Sequence, residues 1–353
     1  MGSGFSLVAT AQWYKLGNRT FGRAGYEAAS ARWPAEPPLP AGRTCIVTGA
    51  NAGLGFAAAK LLLAARSHVH IVCRNKERGE AALAALRAGA PEGASVELHV
   101  ADVASAASVR AFAAAWLARG QPLHALVLNA GVLPQTLSVT EEGLEAGWAT
   151  ALRQSYLLAG LLVPALLRGG EAPGAGFARV IHVTSGGGLT VPLSVARLAP
   201  PPAAKFNGTL QYALAKRAQM VLAKGWAERL RGAGVWAASA HPGWADTEGV
   251  RDALADFAKA REGKLRTPEQ GADTIAWLAL SARVAEAQRG ELFFDREPAA
   301  QHLSSWAGTD AGPAEEAKLW AAAAQQCGWA WEGSAEEAAA AAAKAVKAAA
   351  AKA

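Results

Sequence analysis

Tyr212 and Lys216 stand four residues apart in the run LQYALAKRAQM. In a helix that spacing brings two side chains out on one face, a turn apart. A phenol held beside an ammonium loses its proton more readily, because the neighbouring positive charge favours phenolate. Tyr212 is therefore a candidate general acid or base for carbonyl chemistry. Far upstream, the strand-like run TCIVTG breaks into TGANAGLG, Thr48 to Gly55. Small residues where a strand turns into a helix let the backbone approach a pyrophosphate, and the helix offers unpaired N–H groups and the positive end of its dipole. Glycines also mark ordinary tight turns, but this turn follows a strand and precedes a helix. Together the two motifs describe a redox enzyme that works with a dinucleotide.

From Thr44 onward, short β-branched runs alternate with longer helical patterns. TCIVTG is followed by residues 56–65, HVHIVC by 76–86 and VELHVA by 107–118. LHALVLN, a helix over about 141–167, RVIHVTS, a helix over about 208–230, VWAASAHP and a last strand ELFFD complete the series. This rhythm predicts an α/β fold, a doubly wound parallel sheet of about seven strands with helices on both faces. Between Ser185 and Tyr212 lies an insertion with three consecutive glycines, Pro192 and Pro200 to Pro202, read as a loop bordering the substrate. Residues 33–42, WPAEPPLPAG, can be neither regular helix nor central strand, so the leader is expected to be separable from the body. The predicted organisation is a basic leader and proline-rich hinge (1–41), a dinucleotide-binding domain (42–298), a C-terminal extension packed on the core (299–333) and an Ala/Lys-rich tail (334–353). The tail favours helix by propensity but offers no apolar stripe to dock, so it is expected to fray.

A chain of 353 residues with 52 % hydrophobic content can bury a sizeable core. Cys45, Cys73 and Cys327 have no metal-like spacing, and so sparse, odd a count argues for a reduced, intracellular setting. A formal charge of +6 without a block of consecutive Lys or Arg argues against a nucleic-acid partner. The longest apolar run, residues 156–167, falls short of the ~20 residues a spanning helix needs. The expectation is a protein that is soluble or peripheral to a membrane. Residues 1–26 carry Lys15, Arg19 and Arg23 and no acid, with Phe5, Val8, Ala9, Trp13 and Leu16 at near-helical spacing. An organellar presequence, an acylated segment on the pattern Met1 to Ser6, and a helix packed on the body all fit, and residues 1–35 are a candidate membrane contact.

The chain resembles the short-chain dehydrogenase/reductase family from about Gly42 to Pro298. Thr48, Gly49, Gly53 and Gly55 match its glycine pattern, Asn129, Ala130 and Gly131 its Asn-Ala-Gly, Ser185 its serine, Tyr212 and Lys216 its Tyr and Lys, and Pro242 and Gly243 its Pro-Gly, all in the family's order. The phrases VCRN, TEEGLE, VTSGGG and HPGWADTEGVR look most like a branch near the retinol dehydrogenases. The resemblance implies a Rossmann-type fold and a hydride moved between a nicotinamide and the carbonyl or alcohol of a lipophilic small molecule. It implies that Ser185 polarises the carbonyl, that Tyr212 transfers the proton, and that Lys216 depresses the Tyr212 pKa and holds the nicotinamide ribose. By the same resemblance Asn51 and Leu54 supply contacts from the glycine loop, Asp102 meets the adenine amino group with Val103 beside the ring, Asn129 to Gly131 back the adenosine ribose, and Pro242, Gly243 and Thr247 close on the carboxamide. A strand-tying role for Asn129 is equally compatible. Thr184 competes with Ser185, but strand alternation and family order favour Ser185.

At the end of the second strand the sequence reads Val72-Cys73-Arg74-Asn75, where an NAD-selective site would place an acid on the ribose 2′-hydroxyl. Arg74 instead offers a planar cationic fork suited to a 2′-phosphate, so NADP(H) is expected over NAD(H), with a merely solvated Arg74 as the alternative. One departure stands out: the family's helix Asn falls on Ala151, and Gln154 replaces its Gly partner. That Asn supports a water joining the lysine to solvent. Arg153 and Gln154 are the nearby polar side chains that could stand in. His182 and His241 have no matched partner, so they are expected to be core or supporting histidines, and no metal is expected in the protein. A rival expectation is a nucleotide-binding scaffold subunit with little or no turnover, and a homodimer or larger assembly is compatible with either reading.

Overall fold

The computed structural model describes residues 4–36, 40–171 and 176–338, together with 340 and 344. Eight strands form one sheet: β1 Thr44–Thr48, β2 His68–Cys73, β3 Ser95–Val100, β4 Ala125–Leu128, β5 Ala178–Val183, β6 Val235–Ala240, β7 Leu292–Phe294 and β8 Glu297–Ala299. Their order is β3-β2-β1-β4-β5-β6-β7-β8, with every pairing parallel except the last. The strand beyond the expected seven is β8, which returns along β7 through Asp295 and Arg296, both at positive φ (51° and 64°). Two such residues give a hairpin turn whose twist suits the flanking strands, yet Asp-Arg carries none of the usual Asn-Gly signal. Arg266 holds the turn by donating twice to the Asp295 carboxylate, at 2.6 and 2.9 Å.

The helices are α1 Leu7–Thr20, α2 Arg23–Ser30, α3 Gly53–Ala64, α4 Lys76–Ala88, α5 Ala106–Ala118, α6 Ala146–Leu152, α7 Ala159–Leu161, α8 Val163–Glu171, α9 Gly208–Arg229, α10 Glu248–Ala253, α11 Ala255–Ala260, α12 Pro268–Leu280 and α13 Gly312–Cys327. Strand alternation sorts the core onto two faces. Ile46, Leu126, Leu128 and Val180 meet Trp116, Trp148, Tyr156 and Trp226 on one face. Cys45, Val47, Val127 and Ile181 meet Leu62, Leu63, Trp277 and Phe293 on the other.

The single helix expected over 141–167 is broken. It starts at Ala146, where the Glu145 carboxylate accepts from the Gly147 and Trp148 amides, passes through a π-helical turn at Arg153–Leu158, and bends by 57° before α8. Pro164, which has no N–H to donate to the preceding turn, sits at that bend. No single helix among the described residues is long and apolar enough to cross a membrane, and the apolar bent pair is core, with Leu152, Tyr156, Leu161 and Leu166 fully buried.

The leader is not separate from the body. Phe21 is buried, its ring edge-on to Trp244 at 5.5 Å, and Arg266 donates to the Phe21 and Thr20 carbonyls. Glu36 accepts from the Trp277 indole and the Ser281 hydroxyl, pinning the near side of the hinge, whose residues 37–39 lie outside the described residues. So do residues 1–3 of the acylation pattern and most of the tail. The start of the tail does dock, with Ala335 and Ala338 buried one turn apart. In the C-terminal extension, Trp320 and Trp329 pack edge-on to Tyr156, while Trp306 is exposed.

Candidate active site

The carboxyl ends of β1, β4, β5 and β6 supply one crevice, and the glycine turn at its floor leaves little choice of residue. Gly49 and Gly53 adopt positive φ, and a Cβ on Gly55 would lie 2.4 Å from both the Asn129 amide nitrogen and the Gly49 carbonyl oxygen. Helices α4, α5, α6, α9, α10 and α12 all begin with a side chain accepting from first-turn amides. At α3 the preceding residue is Ala52, and no side chain caps the helix. Its first-turn N–H groups are left for a ligand, and an anionic group fits that end best. Residues Thr48 to Gly55 thus fit a dinucleotide pyrophosphate.

Asn129 does the strand-tying work. Its side-chain amide donates to the Thr48 and Gly49 carbonyls at 2.9 and 3.3 Å, while the Thr48 hydroxyl accepts from the Asn129 and Ala130 amides. Gln154 completes this knot by accepting from the Thr48 hydroxyl and donating to the Ala130 carbonyl. Arg153 is held by Glu142 and the Gln326 carbonyl. Neither expected stand-in is directed at Lys216, although Ala151 does line the same cleft as Gly131, Tyr212 and Lys216.

Ser185 follows β5. Thr184 turns its hydroxyl to the Ala240 carbonyl inside the sheet, so alternation leaves Ser185 in the crevice. Tyr212 and Lys216 come from the first turns of α9, started by Asn207, whose side chain accepts from the Leu210 amide. The Ser185 hydroxyl accepts from the Gly187 amide at 3.2 Å and faces the Tyr212 phenol, whose phenolate it favours as a hydrogen-bond partner. The Lys216 ammonium lies 5.5 Å from the centre of the Tyr212 ring and donates to the Val183 carbonyl at 2.9 Å. A Cβ on Gly131 would come within 3.3 Å of the Lys216 nitrogen.

The electrostatics differ from the expectation. Burial pushes the Tyr212 phenol up from its ordinary value, the Ser185 hydrogen bond alone pulling it back, and burial pulls Lys216 down to about 7. Desolvation penalises the charged form of each group, and among the described residues no carboxylate sustains the ammonium. In the protein by itself, then, the lysine is not the force that lowers the tyrosine.

The remaining expected contacts lie around the crevice. Arg74 is exposed at the end of β2, and Asn75 caps α4 by accepting from the Arg78 amide at 2.8 Å. Asp102 accepts from the Ala104 amide, and Val103 is buried beneath it. Asn51 and Leu54 are half-buried in the glycine turn. Thr247 caps α10 and its methyl lies over Gly53, so the segment after Pro242 and Gly243 closes on the glycine turn. Arg78 and Glu248 pair across the same gap at 2.6 Å.

Two features lay beyond sequence reasoning. His241 accepts through Nδ1 from the Gly186 amide at 3.1 Å and the Gly243 amide at 3.3 Å, joining the loop after Ser185 to the Pro-Gly loop. Its ring is stacked on Phe294 and edge-on to Phe21 of the leader, which nothing in the local sequence announces. Trp13 also reaches this wall, edge-on to Trp244 at 5.5 Å and within contact distance of a Cβ placed on Gly186.

A parallel sheet wound on both faces, with an uncapped helix behind a glycine turn, defines a Rossmann-type nucleotide-binding protein. Residues 43–257 match the short chain dehydrogenase family. Over 318 residues the chain is 35 % identical to human dehydrogenase/reductase SDR family member 12, covering 89 % of this chain and 96 % of that protein. It is 32 % identical to human retinol dehydrogenase 11, over 68 % and 73 % of the two chains. A gluconate 5-dehydrogenase-like structure from Beutenbergia cavernae with bound NADP superposes with a TM-score of 0.58 at 24 % identity, over 73 % of this chain and 96 % of that one. The chain belongs to the short-chain dehydrogenase family, and it is an oxidoreductase of CH–OH or C=O groups.

Proposed function

We propose an NADP(H)-dependent oxidoreductase that interconverts a carbonyl and an alcohol on a lipophilic substrate. The observation that carries this reading is the Ser185–Tyr212 hydroxyl pair with the Lys216 ammonium beside it, at the strand ends above the uncapped start of α3. A bound nicotinamide supplies or accepts the hydride. Ser185 orients the substrate oxygen, and Tyr212 gives that oxygen a proton in reduction or removes one in oxidation, a role worth ~10²–10⁴-fold. In this reading Lys216 meets the ribose hydroxyls, and ordering it there restores a charge beside the phenol. Arg74, exposed with no carboxylate in the preceding strand end, supports 2′-phosphate recognition.

Lipophilicity of the substrate is supported by the aromatic wall of Trp13, Trp244 and Phe257 and by the likeness to a retinol dehydrogenase. The test is NADPH and NADH consumption over a panel of long-chain aldehydes and ketones. Turnover with a preference for NADPH is expected, and Arg74→Ala is expected to erase about tenfold of that preference. Tight nucleotide binding with no turnover across the panel would favour a scaffold subunit instead.

Exposed Leu7, Val8, Tyr14 and Leu16 on α1, interleaved with Lys15 and Arg19, support contact with an anionic membrane surface. Sedimentation with anionic vesicles is expected to carry the protein down, and Leu7→Glu with Val8→Glu to release it. Equal binding by both proteins would remove that part of the reading.

A further inference from the structure

Away from the nucleotide crevice, β2 and the edge strand β3 bring three ligand-type side chains together under α5. The register places His70 opposite Glu97 and Val72 opposite His99, so His70, Glu97 and His99 project from the same face of the sheet. His70 Nδ1 and His99 Nε2 are 3.0 Å apart, and Glu97 brings one carboxylate oxygen within 3.6 Å of the first and the other within 3.7 Å of the second. Donor atoms around a tetrahedral zinc, each about 2.0–2.1 Å from the metal, stand roughly 3.3–3.5 Å from one another. With one Glu97 oxygen as donor, the 3.0 and 3.6 Å separations bracket that spacing, and one donor atom from each of the three residues lies within 4.8 Å of the others.

We propose that His70, Glu97 and His99 form a divalent-metal site, suited to zinc, that staples the edge strand to its neighbour. The Trp116 and Phe112 rings meet the two imidazoles edge-on at 4.6 and 5.3 Å and fix their planes, and metal binding would displace the proton that lies between His70 Nδ1 and His99 Nε2. Arg119 donates to both Glu97 oxygens, at 2.7 and 2.6 Å, fixing the plane of the carboxylate while each oxygen keeps a further lone pair. Arginine has no lone pair to give, so the fourth position falls to water, which has access because the Glu97 side chain is 46 % exposed. The bland account is a histidine–histidine hydrogen bond beside an arginine–glutamate pair with no ion at all. The sequence carried part of the signal as Glu-x-His in VELHVA, which gains its third member, His70 of HVHIVC, only when the strands pair.

This inference is independent of the oxidoreductase chemistry, and its test needs no turnover. Full-length, tag-free protein stripped with a chelator is titrated with Zn²⁺ by calorimetry and with Co²⁺ by visible absorption at neutral pH. One equivalent of zinc is expected to bind with a dissociation constant of about a micromolar or tighter, with the bands of tetrahedral cobalt. A tenfold excess of zinc is expected to raise the melting temperature by about 2 °C or more. His99→Gln and Glu97→Gln, at a mostly buried and a half-exposed position and checked for folding by circular dichroism, are each expected to weaken uptake at least tenfold and to abolish the melting shift. Absence of saturable uptake by the wild type, or uptake unchanged in either variant, overturns the site.

Discussion

Lys216 is a buried base held at the wrong end of its range. Its pKa of about 7 in the folded protein, against 10.5 for an unperturbed lysine, has a definite sign as a stability effect. The unfolded chain keeps the proton up to about pH 10.5 while the folded chain releases it above about 7. Folding is therefore penalised fully below pH 7, and the penalty is relieved as the pH rises through that window. Lys216→Met is expected to stabilise the nucleotide-free protein at pH 6, by an amount on the order of a few kcal/mol, with the difference shrinking towards pH 10. Urea unfolding at the two pH values checks it. An equal effect at both would mean that the lysine is not desolvated as described. The four-residue spacing was enough to put Tyr212 and Lys216 on one face of α9, and the end of β5 to turn Ser185 towards them. It could not show that burial, acting on both partners, opposes the charge effect, because desolvation depends on every neighbour and not on the four-residue interval.

At the scale of elements, what the sequence makes legible is what local pattern decides. Seven strands and the helices α3, α4, α5 and α9 follow from the alternation of strand-like and helix-like runs, and the glycine turn follows from its own φ requirements. The broken helix around Pro164 was legible in principle, since proline cannot continue the hydrogen-bond ladder, whereas the π turn before it has no simple sequence mark. Strand β8 rests on a turn stabilised from a distance by Arg266. The same arginine fixes the end of α1 through the Phe21 and Thr20 carbonyls, so the leader and the β7–β8 hairpin share one clamp. Phe21, 1 % exposed and ringed by His241, Trp244 and Phe294, is the leader's anchor. Phe21→Ala is expected to cost about 3–5 kcal/mol in urea unfolding, the range for a fully buried aromatic. A loss below about 1 kcal/mol would show that the leader is separable from the body, as the proline-rich hinge had led one to expect.

Taken whole, the molecule is a dinucleotide fold whose crevice is walled by its own N-terminus. His241 ties the loop after β5 to the loop after β6, the leader's aromatic rings close behind it, and α13 buttresses the π turn that shapes the floor near Ala151. Contacts between residues so distant in the chain carry no periodic trace, which is why the leader read as separable and His241 only as a core or supporting histidine. The central claim is that the Tyr212 hydroxyl is the proton donor at this crevice. Its most direct test compares wild type with Tyr212→Phe in two quantities, the NADPH dissociation constant by fluorescence titration and the turnover number with the best aldehyde of the panel. The account predicts nucleotide affinity within about threefold and turnover reduced by ~10²-fold or more. Turnover retained in the phenylalanine variant, with affinity unchanged, would contradict it.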